Sequence, residues 1–81
     1  MRYVFVKGFR EELDALPLEI QRKFFKQLGF LLRNIRYPSL RAKKYNEPLG
    51  IWQARADNNF RFYFKIDKDC YVILRIRPHS D

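Results

Sequence analysis

The fold of this chain is decided by residues 51–77, which read IWQARADNNFRFYFKIDKDCYVILRIR. Three runs rich in β-branched and aromatic residues, 51–56, 60–66 and 70–77, are separated by the polar triplets DNN and DKD. Such triplets favour turns, because Asp and Asn side chains form hydrogen bonds with the local backbone. The stretch therefore predicts a three-stranded antiparallel meander with two three-residue loops.

Strand alignment follows from this spacing. Loops of three residues would pair Ala56 with Phe60 and Ile66 with Cys70. Because successive side chains point to opposite faces of a sheet, this pairing gathers an apolar face. A register shifted by one residue would instead bury arginines beside Phe62, which is strongly unfavourable. The expected apolar face consists of Trp52, Ala54, Ala56, Phe60, Phe62, Phe64, Ile66, Cys70, Val72, Leu74 and Ile76.

The same register places arginines together on the opposite face. Arg55, Arg61 and Arg75 are expected directly across from one another, with Arg77 beside them and Tyr63 in the adjacent row. Like charges at opposed positions destabilise a sheet, so this row favours a bound anion. An ordinary solvated basic face would have the same composition, and that interpretation is an alternative. Guanidinium groups bind phosphate with two hydrogen bonds, and a tyrosine ring can stack on a base.

The N-terminal half predicts one strand and two helices. Residues 3–7 are rich in β-formers. Apolar spacing predicts a short helix over 9–16 and, with Pro17 at its first position, a second helix whose apolar stripe covers 20–35. Residues 39–50 are polar and basic, and we expect a loop there. The predicted fold class is α+β, β-α-α-β-β-β, with two helices packed on one face of a small antiparallel sheet.

Length and composition restrict the function classes. A chain of 81 residues is long enough for one domain, which we expect to span residues 1–81. Its 17 Lys and Arg against 9 Asp and Glu give a net charge of +8, which favours nucleic acid, an anionic membrane surface or an acidic protein as partner. The single cysteine and the lack of a signal or membrane-length apolar run indicate a cytoplasmic protein. We expect no metal and no cofactor, because metal-ligand spacing and Gly-rich phosphate loops are missing.

The motifs and their order resemble one known family. WQAR at 52–55, NFRFYF at 59–64 and RPH at 77–79 are similar to segments of the RelE/ParE superfamily of bacterial toxins, and the resemblance covers nearly the whole chain. Arg61 within the third strand and His79 soon after the fourth resemble the RelE, YoeB and HigB branches. The resemblance implies a type II toxin, neutralised by a co-expressed antitoxin, that cuts ribosome-bound mRNA without a metal by using the RNA 2′-hydroxyl as nucleophile.

Roles for individual residues come from this resemblance. It implies that Arg61 stabilises the phosphate, that His79 acts as acid or base, and that Glu47 lies where YoeB-like toxins carry a carboxylate base. An acidic antitoxin segment is expected to cover the basic face. Many relatives end in a tyrosine, whereas Ser80 and Asp81 follow His79 in this chain, and Tyr63 could substitute. The expected RNA-binding residues are Lys43, Lys44, Arg55, Tyr63, Arg75 and Arg77.

Two other functions fit the same sequence. One is a ParE-like protein that inhibits DNA gyrase without catalysing a reaction, and the other is an RNA-binding relative without catalytic activity. His79 favours the nuclease, because a gyrase inhibitor has no evident use for a histidine at that position. Cys70 is expected to be a small apolar residue rather than a nucleophile, since its face carries no histidine to activate it.

Overall fold

The computed structural model describes residues 1–79 and contains a five-stranded sheet with two α-helices. The elements are β1 (Arg2–Phe5), α1 (Phe9–Asp14), α2 (Leu18–Arg33), a 3₁₀ turn (Pro38–Leu40), β2 (Lys43–Asn46), β3 (Ile51–Arg55), β4 (Phe60–Asp67) and β5 (Cys70–Pro78). The strand order is β1-β5-β4-β3-β2. The predicted α+β class is therefore confirmed.

The sheet differs from the prediction in two respects. β1 pairs with β5 in parallel, so the sheet is mixed rather than wholly antiparallel. The segment expected to be a loop contains β2, in which Lys43 pairs with Gln53 and Lys44 with Trp52. The four residues of β2 include no β-branched side chain, so the sequence gives little sign of a strand there. Lysines are typical of edge strands, because their charge discourages pairing with a strand of another molecule.

Each helix buries a narrow apolar stripe against the sheet. α1 contributes Phe9 and Leu13, and α2 contributes Phe24, Leu28 and Leu31, all buried. Gly8 precedes α1 with φ of 91°, a conformation that glycine adopts without a steric penalty. Pro17 lies directly before α2 rather than at its first position. The missing N–H of the proline costs the helix no hydrogen bond at this position.

The core lies between these helices and one face of the sheet. Phe62 and Phe64 on β4 are fully buried, and the Phe24 ring of α2 meets Phe62 edge-on with 5.2 Å between centroids. Fully buried aromatic rings of this kind carry much of the hydrophobic stabilisation in a small domain. Within residues 1–79, neither helix is long and apolar enough to cross a lipid bilayer.

The register between β3 and β4 is as predicted. Arg55 pairs with Arg61 and Ala54 with Phe62, and the Ala56 N–H donates to the Phe60 carbonyl at 3.0 Å. A three-residue turn therefore joins these strands. The parity argument holds here because no residue is inserted between the paired positions.

The register between β4 and β5 was predicted wrongly. Asp67 pairs with Cys70, so the turn has two residues, with Lys68 in the left-handed region at φ of 56°. Farther along, Tyr63 pairs with Arg75 and Phe64 with Ile73, which leaves Leu74 as the extra residue of a β-bulge. A bulge of this kind reverses which face the following residues occupy.

The core face of β5 consequently differs from the expected one. Tyr71, Ile73 and Ile76 are buried, whereas Cys70, Val72 and Leu74 are only partly buried and Ile66 is exposed. The bulge explains how two arginines avoid the core. Without it, the alternation that buries Tyr71 and Ile73 would also bury Arg75 and Arg77, at the cost of placing unpaired charges beside Phe62.

A buried amide ties α2 to the end of β3. The side-chain Nε2 of Gln27 donates to the carbonyls of Ser39 and Arg55 at 3.0 and 2.9 Å, and the Ser39 hydroxyl donates back to Gln27 Oε1 at 3.0 Å. Gln27 is 8% exposed. Because buried hydrogen bonds of this kind are costly to break, the position of Arg55 relative to the helices is fixed.

Candidate functional site

The sheet surface opposite the helices, which we call the open face, gathers basic and aromatic side chains. Its central members come from β2 to β5 and are Lys43, Tyr45, Ile51, Gln53, Arg55, Arg61, Tyr63, Leu74, Arg75 and Arg77. The strand pairing places these residues on the side of the sheet that α1 and α2 do not cover.

Three arginines lie side by side across neighbouring strands of this face. Arg61 on β4 pairs with Arg55 on β3 and with Arg77 on β5. The prediction that Arg75 would occupy the third position was wrong, because the short turn and the Leu74 bulge together shift β5 by two residues. Arg75 instead pairs with Tyr63. Directly opposed Cβ atoms are about 4.5–5.5 Å apart in such pairs, so the three arginine side chains start from neighbouring positions.

The Arg61 side chain is held on the turn between β3 and β4. Its Nη1 donates to the carbonyls of Asp57, Asn58 and Phe60 at 2.9, 3.2 and 3.1 Å. The residue is 7% exposed. Arg61 therefore stabilises the turn in addition to contributing positive charge to the open face.

His79 lies at the same turn. Its backbone N–H donates to the Asn59 carbonyl at 2.7 Å, directly after β5 ends at Pro78. The residue is exposed. Since Arg61 bonds to Asp57 and Asn58 of this turn, the structure brings together two of the three residues to which the resemblance assigned catalytic roles.

A carboxylate of α1, which the sequence analysis did not include in the site, organises the arginines of β5. Glu12 accepts a hydrogen bond from the Ile76 N–H at 2.7 Å through Oε1, while Oε2 lies 3.3 Å from Arg75 Nε and 3.5 Å from Arg77 Nε. The Glu12 side chain is 26% exposed. No local sequence signal could have indicated this contact, because its partners are more than 60 residues away.

An aromatic groove of 580 Å³ runs beside the arginines, lined by Tyr45, Ile51, Tyr63, Leu74, Arg75, Arg77 and Pro78. The Tyr45 and Tyr63 rings meet edge-on with centroids 4.8 Å apart, and Gln53 Nε2 donates to the Tyr63 hydroxyl at 3.2 Å. Tyr45 is 60% exposed, so one ring of the pair is accessible to a ligand. Tyr45 was not predicted to belong to the site, because residues 39–50 were expected to form a loop. Basic and aromatic residues before the turn NEPLG could have indicated a short edge strand.

The structure does not bring Glu47 to the other candidate catalytic residues. Glu47 lies in the turn that precedes β3, with its side chain 77% exposed and 3.9 Å from Lys44 Nζ. Arg61 and His79 bind the turn at the opposite end of β3. The five residues of β3 lie between these ends, and the first and last Cα atoms of such a strand are about 13 Å apart.

The two lysines of β2 diverge to opposite faces. Lys43 pairs with Gln53 and shares its place on the open face. Lys44 lies on the helix side, where its Nζ is 5.3 Å from the centroid of the Trp52 ring, a cation–π contact. The open face therefore contains one of the two lysines expected to bind RNA.

The chemistry available on the open face is that of cations and aromatic rings. Among residues 1–79, no three His, Cys, Asp or Glu side chains are clustered in a way that could hold a metal ion. Guanidinium groups beside accessible rings suit a ligand that carries both phosphates and bases. A single-stranded nucleic acid has this combination.

No family model and no curated protein matches the chain, but solved structures do. A YoeB/ParE toxin from Agrobacterium tumefaciens is 13% identical with a TM-score of 0.81, covering 99% of this chain and 100% of the other. The toxin–antitoxin complex RelBE2 from Mycobacterium tuberculosis is 23% identical over 96% of both chains with a TM-score of 0.76. The isolated RelE toxin of E. coli is 13% identical with a TM-score of 0.76, over 99% of this chain and 85% of the other. The chain therefore has the fold of the RelE/ParE toxins, which its motifs had predicted.

Proposed function

We propose that this protein is the toxin of a type II toxin–antitoxin system and acts as a metal-independent endoribonuclease on ribosome-bound mRNA. The observation that carries the proposal is the β3–β4 turn, which anchors both Arg61 and His79 beside the arginines of the open face. The fold supports it, because the structural neighbours are toxins and several were determined as complexes with RelB or YefM antitoxins.

The proposed reaction uses the RNA itself as nucleophile. A 2′-hydroxyl transfers its proton to a base and attacks the adjacent phosphorus, which forms a cyclic phosphate. The bond from phosphorus to the 5′-oxygen of the next nucleotide then breaks, and that oxygen receives a proton. The protein must therefore provide a proton acceptor, a proton donor and positive charge around the phosphate.

The residues of the open face can fill these roles. His79 accepts or donates the proton, and Arg61 with Arg55 and Arg77 stabilises the charge that develops on the phosphate oxygens. Tyr63 stands in the adjacent groove and is the candidate for the second proton transfer or for base stacking. Glu47 has no such role in this proposal, because β3 separates it from the β3–β4 turn.

The antitoxin would act on the same surface. An acidic segment laid across the open face would pair with Arg75 and Arg77, whose side chains are 53% and 51% exposed, and would exclude RNA. Opposite charges across an interface also accelerate association. The protein would act in the cytoplasm, where its ribosome-bound substrate is found.

A translation extract tests the proposal. Purified protein is added, mRNA ends are mapped, and cuts in register with codons are expected. Intact mRNA together with inhibited DNA supercoiling would show a gyrase inhibitor instead. If neither effect occurs while RNA binding weakens with salt, the protein is a non-cleaving RNA-binding relative.

A further inference from the structure

A second basic and aromatic cleft lies on the helix side of the molecule, away from the open face. It has a volume of 350 Å³ and is lined by residues 35–38, Arg41, Ala42 and Trp52. Trp52 points to the helix side, because it pairs with Phe64 of the core face. The proposed cleavage chemistry uses none of these residues.

Each aromatic ring of this cleft stacks on a second ring that fixes its orientation. Tyr37 stacks on Phe30 with 4.0 Å between centroids and 7° between planes, and Trp52 stacks on Phe64 at 6.2 Å and 16°. Tyr37 nevertheless remains 40% exposed. A ring whose orientation is already fixed loses little conformational entropy when a base stacks on it.

The cations of the cleft are not engaged by acidic side chains. Within residues 1–79, neither Arg36 nor Arg41 takes part in a salt bridge, and no carboxylate lines the cleft. Lys44, which is also 3.9 Å from the Glu47 carboxylate, places its Nζ above the Trp52 ring at the edge of the cleft. Alternating cations and rings are typical of surfaces that bind single-stranded nucleic acid.

Arg41 has a left-handed backbone conformation, which favours glycine over other residues. Its φ and ψ are 45° and 44°, in the left-handed region, where the backbone is held by a hydrogen bond from the Arg41 N–H to the Pro38 carbonyl at 3.2 Å. Glycine adopts this conformation without a steric penalty, whereas a residue with a Cβ is disfavoured there. Glycine can therefore replace Arg41 without a steric cost, which makes the position suitable for a substitution that removes the side chain alone.

Arg41 also connects the cleft to the rest of the basic surface. It lines a neighbouring concavity of 580 Å³ together with Lys26 and Arg55. Arg55 belongs to the arginine row of the open face. Positive charges therefore continue from the cleft, past the end of β3, to the open face.

We propose that this cleft binds one unpaired nucleotide of single-stranded RNA, with its base against Tyr37 and Trp52 and its phosphate held by Arg36 and Arg41. The inference goes beyond the proposed function, since a site that holds RNA away from a scissile phosphate serves a nuclease and a non-cleaving RNA-binding protein alike. The connection through Arg55 allows the same RNA strand to reach the open face.

Two glycine substitutions provide a matched test with a ten-nucleotide single-stranded RNA. Arg41→Gly removes one of the two arginines of the cleft, and Lys68→Gly removes one positive charge from the exposed β4–β5 turn, where φ is also positive at 56°. Both changes relieve a left-handed residue, so both variants should keep or raise the Tm. Only Arg41→Gly should lower the affinity, by about tenfold, and reduce the slope of log affinity against log salt by about 0.7.

Equal RNA affinities for the two variants would overturn the proposal, because the loss would then reflect net charge alone. If Arg41→Gly fails to fold, Arg41→Asn and Lys68→Asn replace the pair, since asparagine tolerates the left-handed region. A cleavage assay in the translation extract tests the proposed function separately. Retained cleavage with unchanged affinity for Arg41→Gly would reject the cleft and leave the nuclease in place.

Trp52 is the only tryptophan of the chain, so its fluorescence reports directly on the cleft. Binding of the RNA should quench this emission, whereas inorganic polyphosphate, which carries charge without bases, should leave it nearly unchanged. RNA binding without quenching, or no RNA binding at low salt, would overturn the site. Equal quenching by polyphosphate would overturn the stacked base.

Discussion

The two faces of the sheet are built from alternate residues of the same strands, yet different forces hold their side chains. On the helix face, Phe62 and Phe64 are 0% exposed and are fixed by ring packing. On the open face, Arg61 bonds to turn carbonyls, Tyr63 to Gln53, and Arg77 to Glu12. Packing is non-directional and depends on volume, whereas these polar contacts are directional. Substitutions on the first face should therefore change stability, and those on the second should chiefly change function.

The largest effect should come from neighbouring residues that point to opposite faces. Phe62→Ala should lower the free energy of unfolding by about 3–5 kcal/mol, because it leaves a cavity beneath Phe24. Tyr63→Ala should cost only about 1 kcal/mol while weakening RNA binding. Urea unfolding of both variants measures the difference. Similar losses of stability in the two variants would show that the two faces are not held by different forces.

The next effect concerns activity alone. His79→Ala should reduce mRNA cleavage in the translation extract by about 100-fold or more, because a proton-transfer group is lost. The substitution keeps the backbone contact of residue 79 with Asn59, and the Tm and the RNA affinity are measured beside cleavage. Unchanged cleavage would remove His79 from the proposed mechanism. A lower Tm together with lower cleavage would instead indicate a structural role.

The sequence predicted the β3–β4 pairing and the helix face of these two strands as far as Phe64, because both follow from strict alternation across a three-residue turn. It could not predict the β4–β5 pairing. A lysine at the left-handed position of a two-residue turn is uncommon, and the Leu74 bulge has no compositional signal in a run of apolar residues. The arginine row was therefore predicted with Arg55 and Arg61 in place and with Arg75 where Arg77 lies.

Polar contacts between residues far apart in the chain could not be predicted from the sequence either. Glu12 belongs to a cluster of acidic residues, a pattern that is typical of the solvent-exposed side of a short helix. Its contact with the Ile76 N–H depends on the packing of α1 beside β5. Parity fixes which face a side chain occupies, but it does not identify a partner on another element. For the same reason, the bonds of Arg61 to the turn carbonyls were not foreseen.

A smaller effect is expected at Glu12, where the two faces meet. Glu12→Ala should lower the free energy of unfolding by about 1–3 kcal/mol, because the partly buried Ile76 N–H loses its acceptor. Glu12→Gln keeps an acceptor and should cost less. Glu11→Ala provides the control, since it removes the same charge from an exposed position of α1. Equal losses for Glu11→Ala and Glu12→Ala would mean that helix charge, rather than the contact with β5, explains the result.

The smallest effect appears only at alkaline pH and comes from the helix face. Burial raises the pKa of Tyr71 above its ordinary value of 10.0, because desolvation disfavours the phenolate. The unfolded chain therefore loses this proton first, and the stability that is fully present below pH 10.0 should be lost as the pH rises through the higher pKa of the folded state. Tyr71→Phe keeps the edge-on contact with Phe64 and removes the ionisable group, so urea unfolding above pH 10.0 should show a shallower decline. Tyr45→Phe makes the same substitution at an exposed ring of the open face and is unfolded under the same conditions for comparison. If the free energy of unfolding of Tyr71→Phe declines as steeply as that of the unaltered protein, the decline does not come from the core. The two faces would then not differ in their response to alkali.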